Sequence, residues 1–341
     1  MTPRRWGLSA AAWTQRVTGR PVRRYAGLLA VWVTLWPAGP GVSHVHAQDA
    51  TALKARHVAL REALASNGFQ RPVHLASVES ATDLRGDVHA TVEQPFDVVS
   101  KALRPVAHWC DILILHLNVK HCRTGKASAS SASSMPASGA GSPPRWASHA
   151  AGTGTEWLSL NVGRKSDQPL AEAYRFEFAY RVVAAQPDYL RLALDAEDGP
   201  MGTSHYRIAL EVVALDAGRT FIHLSYAYAY GLSARLAMQT YLATAGRDKV
   251  GFSVVGTHAD GRPRYVGGTR GVIERNTMRY YLAIESYLGA LSAPPSQQLD
   301  KRLNAWHTGV ERYPLQLREL ERTEYLDMKR REIERQREPQ G

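Results

Sequence analysis

Long hydrophobic runs are missing from this sequence, and so are most of the signatures that announce chemistry. The stretch AGLLAVWVTLW near the start is about eleven residues, against roughly 20 needed to span a bilayer. It is excluded as a spanning helix. Cysteine is scarce: Cys110 and Cys122 are the whole complement, too few for a disulfide-dense scaffold or a paired C-x-x-C zinc site. The thirteen histidines are scattered, with no H-x-x-x-H pair, and His116 and His121 beside Cys122 do not make a ligand set. No metal site and no cofactor are expected. A G-x-S-x-G nucleophile turn, a P-loop and a dinucleotide fingerprint are all absent. No residue is singled out as catalytic.

Acidic residues are absent from the first 47 positions, which hold six arginines. A basic lead, a short apolar segment and the small-residue end PAGPGVSHVHA predict an export signal over 1–47, cut after Ala47. A retained amphipathic anchor is the alternative. The expected location is therefore outside the cytoplasm, periplasmic or secreted. Taking those six cations from the formal charge of +11 leaves +5, spread along the chain, so nucleic acid is not an expected partner.

In an oxidising compartment an even cysteine count favours a disulfide. Were the intervening DILILHLNV one extended strand, the sulfurs would lie tens of ångströms apart at about 3.3 Å per residue. Either the thiols stay free or the chain folds back. A helix over 106–116, with Val106, Trp109, Cys110, Leu113 and Leu117 on one stripe and a return through NVKHC, allows the bridge.

What is abundant is alternation. DLRGDVHATV, EWLSLNV, AYRFEFAYRVV, DYLRLALDA, HYRIALEVV and RTFIHLSYAYAYG each place apolar residues at every second position. The turns between the later strands are short, which predicts an antiparallel sheet with one dry face. EQPFDVVSKALRP reads as a helix after the first of these strands. Residues 51–66 read as a helix ending at Asn67-Gly68, within an N-terminal helix-and-linker region 48–79. The Ser/Ala/Gly/Pro-rich stretch 124–155 reads as a disordered insertion. Between the last long strand and the last core helix come a helix, LSARLAMQTYLATAG, a short strand, GFSVVG, and a flexible GRPRYVGGTRG. GVIERNTMRYYLAIESYLGALS then reads as an amphipathic helix, with Met278, Tyr281, Leu282, Ile284, Leu288 and Leu291 facing the sheet and Arg275, Arg279 and Ser286 elsewhere. The region 293–341 reads as a charged helical extension: a solvated helix, or an arm for a protein partner through 296–337.

The order of strand, two helices, further strands and a long C-terminal helix resembles the START-like or SRPBCC helix-grip superfamily, which includes polyketide-cyclase and Bet v 1-like proteins. DLRGDVHATVEQPFDVVSKAL and GGTRGVIERNTMRYYLAIESYLGAL carry the resemblance, with the meander 157–230 between them, over residues 80–292. It implies an α+β fold: a curved antiparallel sheet of about seven strands gripping that helix. It also implies a cavity for a lipid or another hydrophobic small molecule. Tyr174, Tyr180, Tyr206, Tyr226, Tyr228 and Tyr281 are the expected lining, their hydroxyls serving as polar handles in an apolar wall. Arg264 and Arg270, beside Gly267, Gly268 and Gly271 at a helix start, are candidates for an anion contact. The functional expectation is an exported soluble protein that binds a hydrophobic, lipid-like ligand in that cavity, with no catalytic motif found. A cyclase- or hydrolase-type enzyme using the same pocket, or an envelope interaction protein with a filled core, are the alternatives.

Overall fold

A computed structural model describes residues 43–126, 156–244 and 246–337. Most of the expected export signal and all but the first three residues of the expected insertion lie outside the described residues. Thr124, Gly125 and Lys126 are not part of an excursion: they finish a strand.

The chain opens with α1 (Ser43–Ala59) and α2 (Arg61–Ala65), a start earlier than expected, so the cleavage point after Ala47 falls within α1. The stop comes where it was expected. The Asn67 amide donates to the carbonyls of Ala63 and Leu64 at 2.7 and 3.2 Å, which the helix leaves open, and to that of Arg71 at 2.9 Å. Then come β1 (Val73–Glu79), β2 (Asp83–Val92), α3 (Phe96–Leu103) and α4 (Val106–Leu113). The meander follows: β3 (Val119–Lys126), β4 (Glu156–Val162), β5 (Tyr174–Ala185), β6 (Tyr189–Asp198), β7 (Thr203–Ala214) and β8 (Thr220–Tyr230). Helix α5 (Leu232–Ala243) and a hairpin of β9 (Val254–Thr257) and β10 (Pro263–Tyr265) lead to the long helix α6 (Gly268–Ala290). Three further helices close the described chain: α7 (Pro295–Glu311), α8 (Pro314–Leu317) and α9 (Arg322–Arg337).

Eight strands form one antiparallel sheet in the order β1-β2-β8-β7-β6-β5-β4-β3. The α3–α4 crossover carries the chain from one end of the sheet to the other, and the meander brings it back until β8 pairs with β2. Bulges in β5 between Val182 and Ala184 and in β7 between Ser204 and Arg207 add local bend and twist. One row of side chains, Leu75, Val88, Leu224, Leu210 and Leu192, crosses five strands in register. These residues share one buried cluster with Phe176, Ile208 and Met278, so the apolar side of the sheet wraps α6 as the alternation predicted.

Further expectations need correction. VHLASVE, assigned to a linker, is β1, and VKHC belongs to a full strand, β3, giving eight strands instead of about seven. Both are edge strands; β3 has no clean alternation because its first four residues are all buried. GFSVVG does not join the large sheet; it supplies β9, paired with β10 from the segment expected to be flexible. Helix α4 stops at Leu113, short of 116, and the turn that follows returns the chain so that Cys110 and Cys122 form a disulfide with Cα atoms 5.3 Å apart. Finally, α6 is not amphipathic in its surroundings. Arg275, Arg279 and Ser286 are buried along with its apolar residues, because α7 and the chain after it cover the side away from the sheet.

That covering is why residues 293–337 are not a solvated extension. Leu303, Trp306, Val310, Leu317, Tyr325, Met328 and Ile333 belong to the main core. Trp306 donates from its indole to the Arg279 carbonyl at 3.2 Å. Helix α9 lies along the free edge of β3, where the Gln336 side chain accepts from the Cys122 amide at 2.9 Å, covering an edge that would otherwise invite pairing. Lys329 donates to the carbonyls of His116 and Val119 at 2.7 and 2.8 Å and, like Lys120, pairs with the buried Glu332. The apolar residues of this region are spent inside the molecule.

Candidate functional site

Three of the expected tyrosines converge, joined by one that the sequence reading passed over. On the inner face of β7 and β8, Tyr206 stacks on Tyr228 with ring centroids 5.0 Å apart, and Tyr226 lies 5.7 Å from Tyr228. Tyr280 of α6 meets Tyr226 edge-on at 5.3 Å. Phe176 of β5 closes the group against Tyr206 at 4.6 Å. The Tyr206 hydroxyl is paired with Thr203 Oγ1 at 2.8 Å, and burial pushes its pKa up to about 12. Among the described residues, no group donates to or accepts from the hydroxyls of Tyr226, Tyr228 and Tyr280; burial raises all three pKa values. The rings are buried, but the three hydroxyl oxygens are not themselves sealed off. Against Tyr280, at 4.7 Å and nearly parallel, lies the ring of His116. Its Nδ1 accepts from the Asn118 amide at 3.1 Å, while Nε2 is buried without a partner. Burial first, then the charges of Arg279 and Lys329, hold this imidazole neutral.

The other expected tyrosines lie elsewhere. Tyr174 is 41 % exposed at the start of β5. Tyr180 donates to the Arg104 carbonyl at 2.6 Å, filling space beside Trp109. Tyr281 points to the other side of α6, where its hydroxyl donates to Glu285 at 3.1 Å and burial raises its pKa to about 12. Glu285 and its partner Arg71 help to line a cleft of about 400 Å³ between the end of β2 and the end of α6, bounded also by Val92, Gln94 and Leu288. None of the expected tyrosines lines this cleft, whose walls combine apolar with charged side chains.

Arg264 and Arg270 are not assembled around an anion. Arg264 sits exposed on the β9–β10 hairpin, and Arg270 donates to Ser77 Oγ at 3.1 Å. Glu274, in the first turns of α6, is fully buried. It accepts from the amides of Phe252 and Ser253 at 2.6 and 2.9 Å and from the hydroxyls of Ser77 and Ser253 at 2.5 and 2.7 Å. The carboxylate thus ties the segment before β9 to α6 and β1.

The most polar cluster was missed. On the outer face, His74, His89, His223, Glu211 and Arg191 form a row across five strands. His223 donates to Glu211 Oε2 at 2.9 Å and to Asp87 Oδ1 at 2.8 Å. With a carboxylate at each nitrogen it must carry both protons. Burial alone would lower its pKa, but the two hydrogen bonds outweigh it and the value rises. Asp87 is likewise held down to about 2: burial opposes this, and hydrogen bonds from His223 and Arg85 prevail. His89 stacks flat on His223 at 4.3 Å, and burial, then the His223 charge, lower its pKa to about 3. Helix α1 roofs this row, leaving a cavity of about 370 Å³. DLRGDVH, LEV and FIHLS all carry polar residues at alternate positions, which was a signal. Only the strand order, however, places β2, β7 and β8 side by side.

The strand order and the gripped helix define the class of fold: a helix-grip arrangement, an antiparallel sheet about one long helix. Among solved structures the chain is similar to truncated norcoclaurine synthase from Thalictrum flavum, at 10 % identity over 49 % of this chain and 89 % of that one, with a TM-score of 0.28. It is similar to the Zhui aromatase/cyclase from Streptomyces sp. R1128, at 13 % identity over 70 % and 95 %, TM-score 0.27. It is also similar to human StAR-related lipid transfer protein 5, at 8 % identity over 58 % and 89 %, TM-score 0.27. No family model and no curated protein sequence matches. Likenesses this distant carry nothing about chemistry; the class rests on the chain's own topology.

Proposed function

We propose that the protein is an exported carrier of a small, largely apolar molecule held between the sheet and α6, with its polar atom among Tyr226, Tyr228 and Tyr280. The observation that carries this reading is the set of three tyrosine hydroxyls without partners among the described residues, in a wall otherwise made of Phe176, Ile208 and Leu224. None of these oxygens is sealed off from a small neighbour, so a ligand oxygen can accept from them. Apolar burial, at about 25 cal/mol per Å², supplies the affinity, and the hydroxyls fix orientation. Export rests on the basic and apolar N-terminal pattern of residues 1–47.

The test is organic extraction of the purified protein followed by mass spectrometry, on the native chain and on Tyr226→Phe/Tyr228→Phe. A co-purifying apolar compound that falls in yield in the double variant supports the reading; undiminished retention removes the hydroxyls from it. One observation favours a second reading. The neutral His116 is stacked on Tyr280, and because its Nδ1 accepts from the Asn118 amide its Nε2 carries the proton, which gives it the form of a general-acid donor without a protein partner. If the bound compound is turned over, and His116→Phe retains it unaltered, the enzyme reading replaces the carrier.

A further inference from the structure

The cavity beneath α1 is independent of the tyrosine cluster, because it lies on the opposite face of the sheet. Its floor is the polar row of β1, β2, β8 and β7, and its roof is the α1 side chains Asp49, Ala52, Leu53 and Arg56, with Leu60 just beyond. Most of its charges are already matched. Asp87 and Glu211 are taken by the His223 imidazolium, Arg85 holds Asp87 through two nitrogens, and Asp49 faces Arg191 at 3.6 Å.

Three polar groups are left over: Arg56, which is exposed, His74 and His89. Arg56 has no ion-pair partner among the described residues, although its charge acts on both His74 and His89. His89 is only 8 % exposed, and neither ring nitrogen has a protein hydrogen-bond partner; Nδ1 is buried outright. Nδ1 is closed off, so the nitrogen left to a ligand is Nε2, in a cavity whose uncommitted charge is one guanidinium. Beside them the wall turns apolar at Ala52, Leu53, Leu60 and Ala76.

We propose that this cavity binds a small organic carboxylate, its carboxylate between Arg56 and His89 and its apolar body against Ala52, Leu53 and Leu60. One unmatched positive charge calls for a monoanion. The guanidinium can take both oxygens of a carboxylate in its planar fork. A volume of about 370 Å³ is that of a single-ring or short-chain acid, at the lower end of small-molecule sites. A divalent cation is disfavoured there. His74 and His89 stand with ring centroids 6.2 Å apart, but the unpaired Arg56 and the His223 imidazolium both repel positive charge.

Calorimetric titration of the purified protein with benzoate tests this, with inorganic phosphate and Zn(II) as comparison probes. Saturable benzoate binding is expected, weakened about tenfold or more in Arg56→Ala, the loss of a charge-assisted contact. His89→Phe, which keeps a ring against His223 and removes both nitrogens, is expected to weaken it likewise. Tyr226→Phe/Tyr228→Phe should bind benzoate as the native chain does, so this site and the tyrosine cluster succeed or fail separately. No binding up to on the order of 10 mM overturns the proposal. So does native affinity in Arg56→Ala, phosphate binding tighter than benzoate, or a His89-dependent Zn(II) site in place of an anion site.

Discussion

A Cβ atom placed on Gly86 would lie 2.3 Å from Thr277 Oγ1. The glycine is there because α6 comes down directly on β2, and only a missing side chain lets it. The contact sets the depth at which the helix sits against the sheet, and hence how far Tyr280 reaches toward Tyr226.

Gly86→Ala is therefore expected to lower stability by about 1–3 kcal/mol, as overpacking does. Adding Thr277→Ala, which removes the clashing hydroxyl, should recover part of that loss. Urea denaturation of both variants reads it. An unchanged midpoint in Gly86→Ala means that the helix can stand off from the sheet at no cost.

Glu332 answers two ammonium groups, Lys120 at 3.0 Å and Lys329 at 2.7 Å, all three with fully buried side chains. Glu332→Gln leaves both without a counter-charge. The expected loss is about 3–5 kcal/mol, with α9 leaving the edge of β3. Faster hydrogen exchange at β3 amides is the specific readout; a loss of stability without it places the damage elsewhere.

Reduction of Cys110–Cys122 releases a short loop, and the chain-entropy model gives about 3 kcal/mol for such a closure. Because the bridge joins α4 to β3, the thermal midpoint should fall on adding dithiothreitol. Cys110→Ala/Cys122→Ala should show the lower midpoint with no further response to the reductant.

Acid should destabilise the protein through His89. In the folded chain it stays neutral down to about 3, while unfolded it takes a proton near 6.5. Between those values the unfolded state binds more protons, so stability rises with pH and is lost as pH falls, at up to about 1.4 kcal/mol per pH unit. His223, whose pKa is raised, has the opposite sign: its contribution is present below 6.5 and is lost as pH rises through its folded value. His89→Phe should flatten the acid limb of a stability–pH curve. A limb as steep as the native one assigns the effect to other groups.

Alternation in β2 and in β4 to β8 was legible because each of these strands has an apolar side toward α6 and a more polar side away from it, so burial writes a period of two into the sequence. The strand β3 was obscured because α9 covers its edge and buries its first residues on both faces. Helix α6 was located correctly but its polar residues were misplaced. Arg275 and Arg279 look solvated in sequence, and only the return of α7 to α9 buries them. The tyrosines divided for the same kind of reason. Tyr206, Tyr226 and Tyr228 lie on neighbouring strands by register, whereas Tyr281 is one residue round the helix from Tyr280 and so faces the other way.

The sequence by itself determined the class of fold, the gripped helix, the place where the first helices stop, and a cysteine spacing that permits a bridge only if the chain turns back. These follow from local periodicity and chain geometry, which need no knowledge of distant partners. Tertiary structure alone decided which tyrosine hydroxyls lack partners, that the charged C-terminal helix spends its apolar face on β3, and that His89, His223, Asp87 and Glu211 meet under α1. Each of these depends on which strands become neighbours. That pairing is fixed by a crossover between the two ends of the sheet, at sequence separations where no local pattern reaches.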